Sequence, residues 1–171
     1  MAEVLFYHLE RAALEDVLPG LLEKTRERGW KALVRAGSAE RIAALDAHLW
    51  SYREESFLAH GLDRDPHPAE QPILLTAADG NPNAAEVLFL VDGAGTKDWA
   101  APEVAAATRI VMIFDGRDAE ALDAARDQWK QAKACFQCSR AGSGKSGLRR
   151  SGWRKGGNHL FSVESLALLR R

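Results

Sequence analysis

"VLFYHLERAALEDVLPGLLEKTRERGWKALVRA", residues 4–36, decides the fold. It opens with a short, nearly continuous apolar run, "VLFYHL", which predicts a largely buried strand. It closes with a second such run, "WKALVRA". Between them lies an apolar stripe at helical spacing. The firm part of that helix is expected from residue 19 to 28. Pro19 then sits in the first turn, where a missing N–H is harmless. Gly29 follows the helix and is suited to end it.

Further along, Ser38 is placed to cap a second helix, whose inward face is Ile42, Leu45 and Leu49. Residues 52–72 are loop-rich and centre on "DRDPHPAEQP". "ILLT", "EVLFLV" and "TRIVMIF" predict three more strands. Asp118 can cap a last helix with Leu122, Ala125, Trp129 and Ala132 inward, ending near Lys133. Strands alternating with helices predict a three-layer α/β domain with a mainly parallel sheet. One link resists this pattern. The connection from "ILLT" to "EVLFLV" is shorter than the dozen or so residues of a usual parallel crossover. Either those strands are not neighbours or one is antiparallel.

The chain has 171 residues, 46% of them hydrophobic, enough for one domain with a real core. Its net charge of −1 hides an asymmetry: residues 1–138 carry −8 and residues 139–171 carry +7. An acidic body is poorly suited to grip nucleic acid through bulk charge. No run is long and apolar enough to span a bilayer. "MAEVLFYHLE" lacks a basic leader, so the expectation is a cytoplasmic protein with no membrane contact.

The domain is expected to occupy 1–138. The Gly, Ser and basic residues of 139–171 predict a flexible, largely disordered tail, with "LFSVESLALLRR" able to form a short terminal helix. Within the tail, "GSGKS" at 142–146 spells part of a phosphate-binding loop. That loop needs G-x-x-x-x-G-K-[ST] between a strand and a helix. Here Ser139 holds the place of the first glycine, and no strand precedes it. The first βα turn, the usual nucleotide site of such folds, reads "HLERAALED" and has no glycine.

Other chemistry is equally sparse. Cys135 and Cys138 form a C-x-x-C after a helical pattern, without the further ligands zinc requires, and read as ordinary thiols. Asp63, Asp65 and His67 in "DRDPH" read as a solvated turn. Asp115 follows a strand, where catalytic acids often sit, but no partner base is visible. No catalytic set, metal site or cofactor is therefore expected.

Two recognition signals remain. "HLWSYREESFLAHGL", residues 48–62, places Trp50, Tyr52, Phe57 and Leu58 around a helix end whose core stripe is already complete. Such aromatics can anchor a partner or fold back over the core. In "ALDAARDQWKQAK", Arg126, Trp129, Lys130 and Lys133 lie at helical spacing. Basic heads beside an aromatic edge can hold a peptide carboxylate and an adjacent apolar side chain. The alternative is a solvated helix face with Trp129 in the core.

These stretches, with "FYHL", "GWKALV", "PILLT", "PNAAEVLFLVDG" and "IVMIFDG", recur in order over roughly residues 3–134. Together they resemble the chi subunit family of bacterial DNA polymerase III. The pair Leu49-Trp50, followed seven residues on by Ser56-Phe57 and then His60, is the most specific block. The resemblance implies a Rossmann-like fold with no catalytic activity of its own. It implies two partners besides: the psi subunit of the clamp-loader assembly, or a helicase competing with it, and the acidic C-terminal tail of single-stranded DNA-binding protein. The family's tail-binding arginine falls on Arg126, its aromatic on Trp129, and Lys130 stands beside them. A family lysine falls on Leu122, so one charge contact is missing. The psi or helicase interface falls on Trp50 and Phe57, with Leu58 adjacent. DNA contact would be mostly indirect. After Lys133 the chain departs from the family pattern.

The implied role is a replisome adaptor. Two other readings compete with it. One is a nucleotide-binding or hydrolytic α/β enzyme, opposed by the glycine-free first turn. The other is nucleic-acid binding through the basic tail.

Overall fold

The computed structural model describes residues 3–141 and 160–162, with side chains described up to residue 135. Strand β1 (Glu3–Leu9) leads through α1 (Leu14–Glu27) to β2 (Ala32–Ala36) and α2 (Ala39–Ser51). Next come β3 (Gly61–Leu62), a 3-10 turn (Pro68–Glu70), β4 (Ile73–Thr76) and β5 (Val87–Val91). Then follow α3 (Pro102–Ala106), β6 (Arg109–Asp115), α4 (Ala119–Ala141) and β7 (Leu160–Ser162). The sheet order is β3-β4-β2-β5-β6-β1-β7. All neighbours pair in parallel except β7, which runs antiparallel beside β1. The architecture is the three-layer, Rossmann-like α/β fold expected.

Alternation along each strand builds two cores. Leu5, Val34, Leu75, Phe89 and Val111 point to one face, covered by Leu14, Leu18 and Leu22 of α1 and Ile42, Leu45 and Leu49 of α2. Phe6, Leu33, Leu74, Leu88 and Met112 point to the other, covered by Trp99, Val104 of α3, and Ala125 and Ala132 of α4. Ser38 caps α2, accepting the Arg41 N–H at 3.3 Å. Asp118 caps α4, its carboxylate accepting the Glu120 N–H at 2.9 Å.

Helix α1 differs from expectation: it begins at Leu14, so Pro19 lies inside it and is buried. Proline cannot donate to the carbonyl four residues back, here that of Glu15. The imidazole of His48 on α2 fills that vacancy, its Nε2 lying 2.9 Å from the Glu15 oxygen. A side chain distant in sequence thus satisfies the group that would otherwise argue against a helix. Gly29, at φ 75°, follows the helix as expected.

The short link of residues 77–86 is resolved by strand order. β4 and β5 are not neighbours; each flanks β2. The link crosses β2 without a helix, and side chains fasten it instead. Arg35 of β2, only 4% exposed, reaches Asp79 at 3.3 Å and the Gly80 carbonyl at 2.8 Å. Asn83 donates to the carbonyls of Ala32 and Gln71, both at 3.1 Å.

At the C-terminal end, α4 continues to Ala141, beyond the end expected near Lys133. Leu160–Ser162 is a strand paired with residues 5–7 of β1, not part of a terminal helix. The flexibility expected of 139–171 otherwise falls outside the described residues, as does "GSGKS". No helix among the described residues is long and apolar enough to cross a membrane.

Candidate protein-interaction surfaces

Trp50 follows Leu49, the last inward residue of α2, and one residue of helical rotation turns it away from the core. It is 61% exposed, and Phe57 is 72% exposed. Their rings lie 5.9 Å apart, tilted by 47°. Ala43 and Ala47, both exposed, precede Trp50 along the same side of α2 and extend the apolar surface. Leu58 is a correction: it is 5% exposed and belongs to the core under α2. It supports the patch from below and offers nothing to a partner.

The loop carrying Phe57 is tied to α1. Glu23 accepts the Tyr52 hydroxyl at 2.8 Å and the Ser56 hydroxyl at 2.9 Å, with Arg53 at 3.4 Å. Tyr52, followed by Ser56, holds the Glu23 carboxyl below its ordinary range. Burial, with the Glu23 carboxylate adding to it, pushes the Tyr52 phenol up. The exposed aromatics therefore stand on an anchored loop.

The second surface lies on α4. Arg126 is partly exposed and pairs with Asp123 at 2.8 Å. Lys130 pairs with Asp127 at 2.9 Å. Trp129 packs its inner edge on the core, and Lys133 sits 4.9 Å from its ring centroid. Leu122 packs against the same core. The helix thus does bring Arg126, Trp129 and Lys130 together. Asp123 and Asp127 were missed as partners; their i,i+3 spacing to Arg126 and Lys130 was the available signal.

A cleft of about 580 Å³ opens at the carboxyl ends of β1, β5 and β6, where α/β folds commonly bind ligands. Its cations are already engaged. Arg41 reaches Glu15 at 2.8 Å and Asp92 at 2.7 Å. Hydrogen bonding from Arg41 keeps the Glu15 carboxyl low, and Glu15 in turn raises the arginine. Arg117 forks onto Asp115 at 2.9 and 2.7 Å and holds its carboxyl at about 2. Asp115 is therefore half of an ion pair. Asp63 and Asp65 accept bonds from Thr76 and Leu62 within their turn. No group of three His, Cys, Asp or Glu among the described residues could hold a metal ion.

A sequence model of the DNA polymerase III chi subunit, HolC, matches residues 1–136. The chain belongs to the chi subunit family. A probable DNA polymerase III subunit chi from Rickettsia prowazekii (strain Madrid E) is 31% identical over 91 residues, covering 53% of this chain and 55% of the relative. The chain thus spans about half the length of that chi protein. Family membership sets the chain in the general context of DNA replication. It also accounts for two sequence blocks that travel together. His8 of "FYHL" stacks on Phe114 of "IVMIFDG" at 5.5 Å, and a Cβ at Gly116 would collide with that imidazole.

The two candidate surfaces lie on opposite sides of the sheet. The Trp50–Phe57 patch extends from the layer of α1 and α2. The Arg126–Trp129 surface belongs to the layer of α3 and α4.

Proposed function

We propose that this chi-family chain is a non-catalytic adaptor in the replisome. On this reading Arg126, Trp129 and Lys130 hold the acidic C-terminal tail of single-stranded DNA-binding protein. Trp50 and Phe57 dock the psi subunit of the clamp-loader assembly, or a helicase that competes for the same patch. The observation that carries the reading is the separation of two unlike surfaces by one sheet, which lets two partners bind at once. A guanidinium suits a terminal carboxylate, since both are planar and can pair through two parallel bonds. The Trp129 edge suits a terminal phenylalanine.

The test is calorimetric titration with a peptide copying the cognate single-stranded DNA-binding protein C-terminus, with and without its final phenylalanine. Binding should require that residue and fall in Arg126→Ala. It should be untouched by replacing Trp50 and Phe57 with alanine. Equal binding of both peptides would sink the α4 assignment.

A further inference from the structure

This inference rests on Trp50 and Phe57 being a docking anchor and concerns what holds the anchor in place. Beneath Trp50 lies His60, whose side chain is fully shielded from solvent. The two rings are 4.9 Å apart and tilted by 51°. His60 Nδ1 lies 2.6 Å from the Leu58 carbonyl oxygen. Its Nε2 lies 3.2 Å from Oδ1 of Asp46, at ion-pair distance but off the line of a hydrogen bond.

A carbonyl only accepts, so Nδ1 must carry a hydrogen. A neutral ring with that hydrogen would turn its Nε2 lone pair toward a carboxylate, which also only accepts. In a buried site that arrangement is repulsive and unscreened by water. A second hydrogen, on Nε2, turns the repulsion into an ion pair, and imidazole is ordinarily more basic than a carboxylate. We propose that His60 is an imidazolium paired with Asp46, and that it positions Trp50 for docking. A cation against an indole is attractive. Asp46 and Trp50 stand one turn apart on α2, while Leu58 belongs to the loop that carries Phe57. The one charged ring therefore registers both aromatics. Asp46 is the charged group facing it from α2; Glu23 of α1 is committed to Tyr52 and Ser56.

Long-range ¹H–¹⁵N NMR of the full chain at neutral pH reads both ring nitrogens directly. Both should show protonated shifts, with cross-relaxation between the His60 ring and the Trp50 indole. One protonated and one bare nitrogen would overturn the proposal. Asp46→Asn should return the ring to its neutral form and weaken binding to the purified cognate clamp-loader assembly roughly threefold to thirtyfold, the span of a cation–π contact. A folded Asp46→Asn protein with unchanged ring shifts and affinity would also overturn it. Trp50→Leu separates the two layers. If that variant binds the assembly normally while His60 remains doubly protonated, the docking role fails and the ion pair stands.

Discussion

The α2 patch and the α4 surface prepare for partners in opposite ways. Trp50 and Phe57 leave large apolar rings in water, fixed from beneath by core residues and by the Glu23 bonds to their loop. On α4, Arg126 and Lys130 already hold carboxylates one turn away. The first surface gains whatever burial a partner provides. The second exchanges one ion pair for another, so its net gain is smaller and salt screens it. An apolar patch of this kind suits a long-lived assembly. A pre-paired charged face suits a contact that is made and broken.

The largest effect should come from the apolar side. Trp50→Ala with Phe57→Ala should cost roughly 3–4 kcal/mol of partner binding, since buried aromatic anchors dominate interface energies. The loss should vary little with salt. Thermal unfolding should be nearly unchanged, because both rings are exposed. A folded double variant that binds its partner normally would erase the contrast.

A smaller effect is expected on α4. Arg126→Ala should weaken the peptide by about 1.5 kcal/mol, the low end for a bond to a charged group, because the arginine must first leave Asp123. Arg126→Lys should recover only part of that, lacking the planar fork. Asp123→Asn sharpens the comparison by reversing the sign. Freeing the guanidinium should strengthen peptide binding by about 0.2–1 kcal/mol, the usual worth of an exposed pair. Titrations at low and high salt would separate these terms. A weaker Asp123→Asn complex would mean that Asp123 orients Arg126 and does not compete for it.

Much of the fold was legible because apolar periodicity reports it directly. The β1–α1–β2 unit, the Ser38 and Asp118 caps and the inner faces of α2 and α4 all follow from local patterns. What escaped depends on partners distant in sequence. Pro19 argued for a late helix start because nothing local reveals that His48 satisfies the Glu15 carbonyl. The 77–86 link looked too short because nothing local reveals Arg35 as its buried fastener. The pairing of residues 160–162 with β1 was equally invisible, since a three-residue strand has almost no periodicity. At the candidate sites, the exposure of Trp50 and Phe57 could only be posed as one of two alternatives. Leu58 was misplaced because one residue decides which side of a loop faces inward.

The smallest expected effect probes why the apolar patch is fixed at all. Glu23 joins α1 to the aromatic-bearing loop through Tyr52 and Ser56, and those bonds lower its carboxyl below the ordinary 4.5. A carboxyl depressed by folding stabilises the native state fully above its unfolded value. That contribution disappears as pH falls through the lower folded value. Stability owed to Glu23 should therefore be complete at pH 6 and fade below about pH 4.5. Glu23→Gln keeps one acceptor oxygen but no charge. It should cost less than about 1 kcal/mol at pH 6, given how exposed the neighbouring Arg53 is. It should also flatten the acid side of the stability profile. Urea midpoints at pH 6 and pH 3 would measure both. If Glu23→Gln lowers the midpoint equally at the two pH values, the carboxylate charge is not what ties the loop. The fixing of the patch would then rest on the core beneath it, Leu58 and His60, and on neutral hydrogen bonds alone.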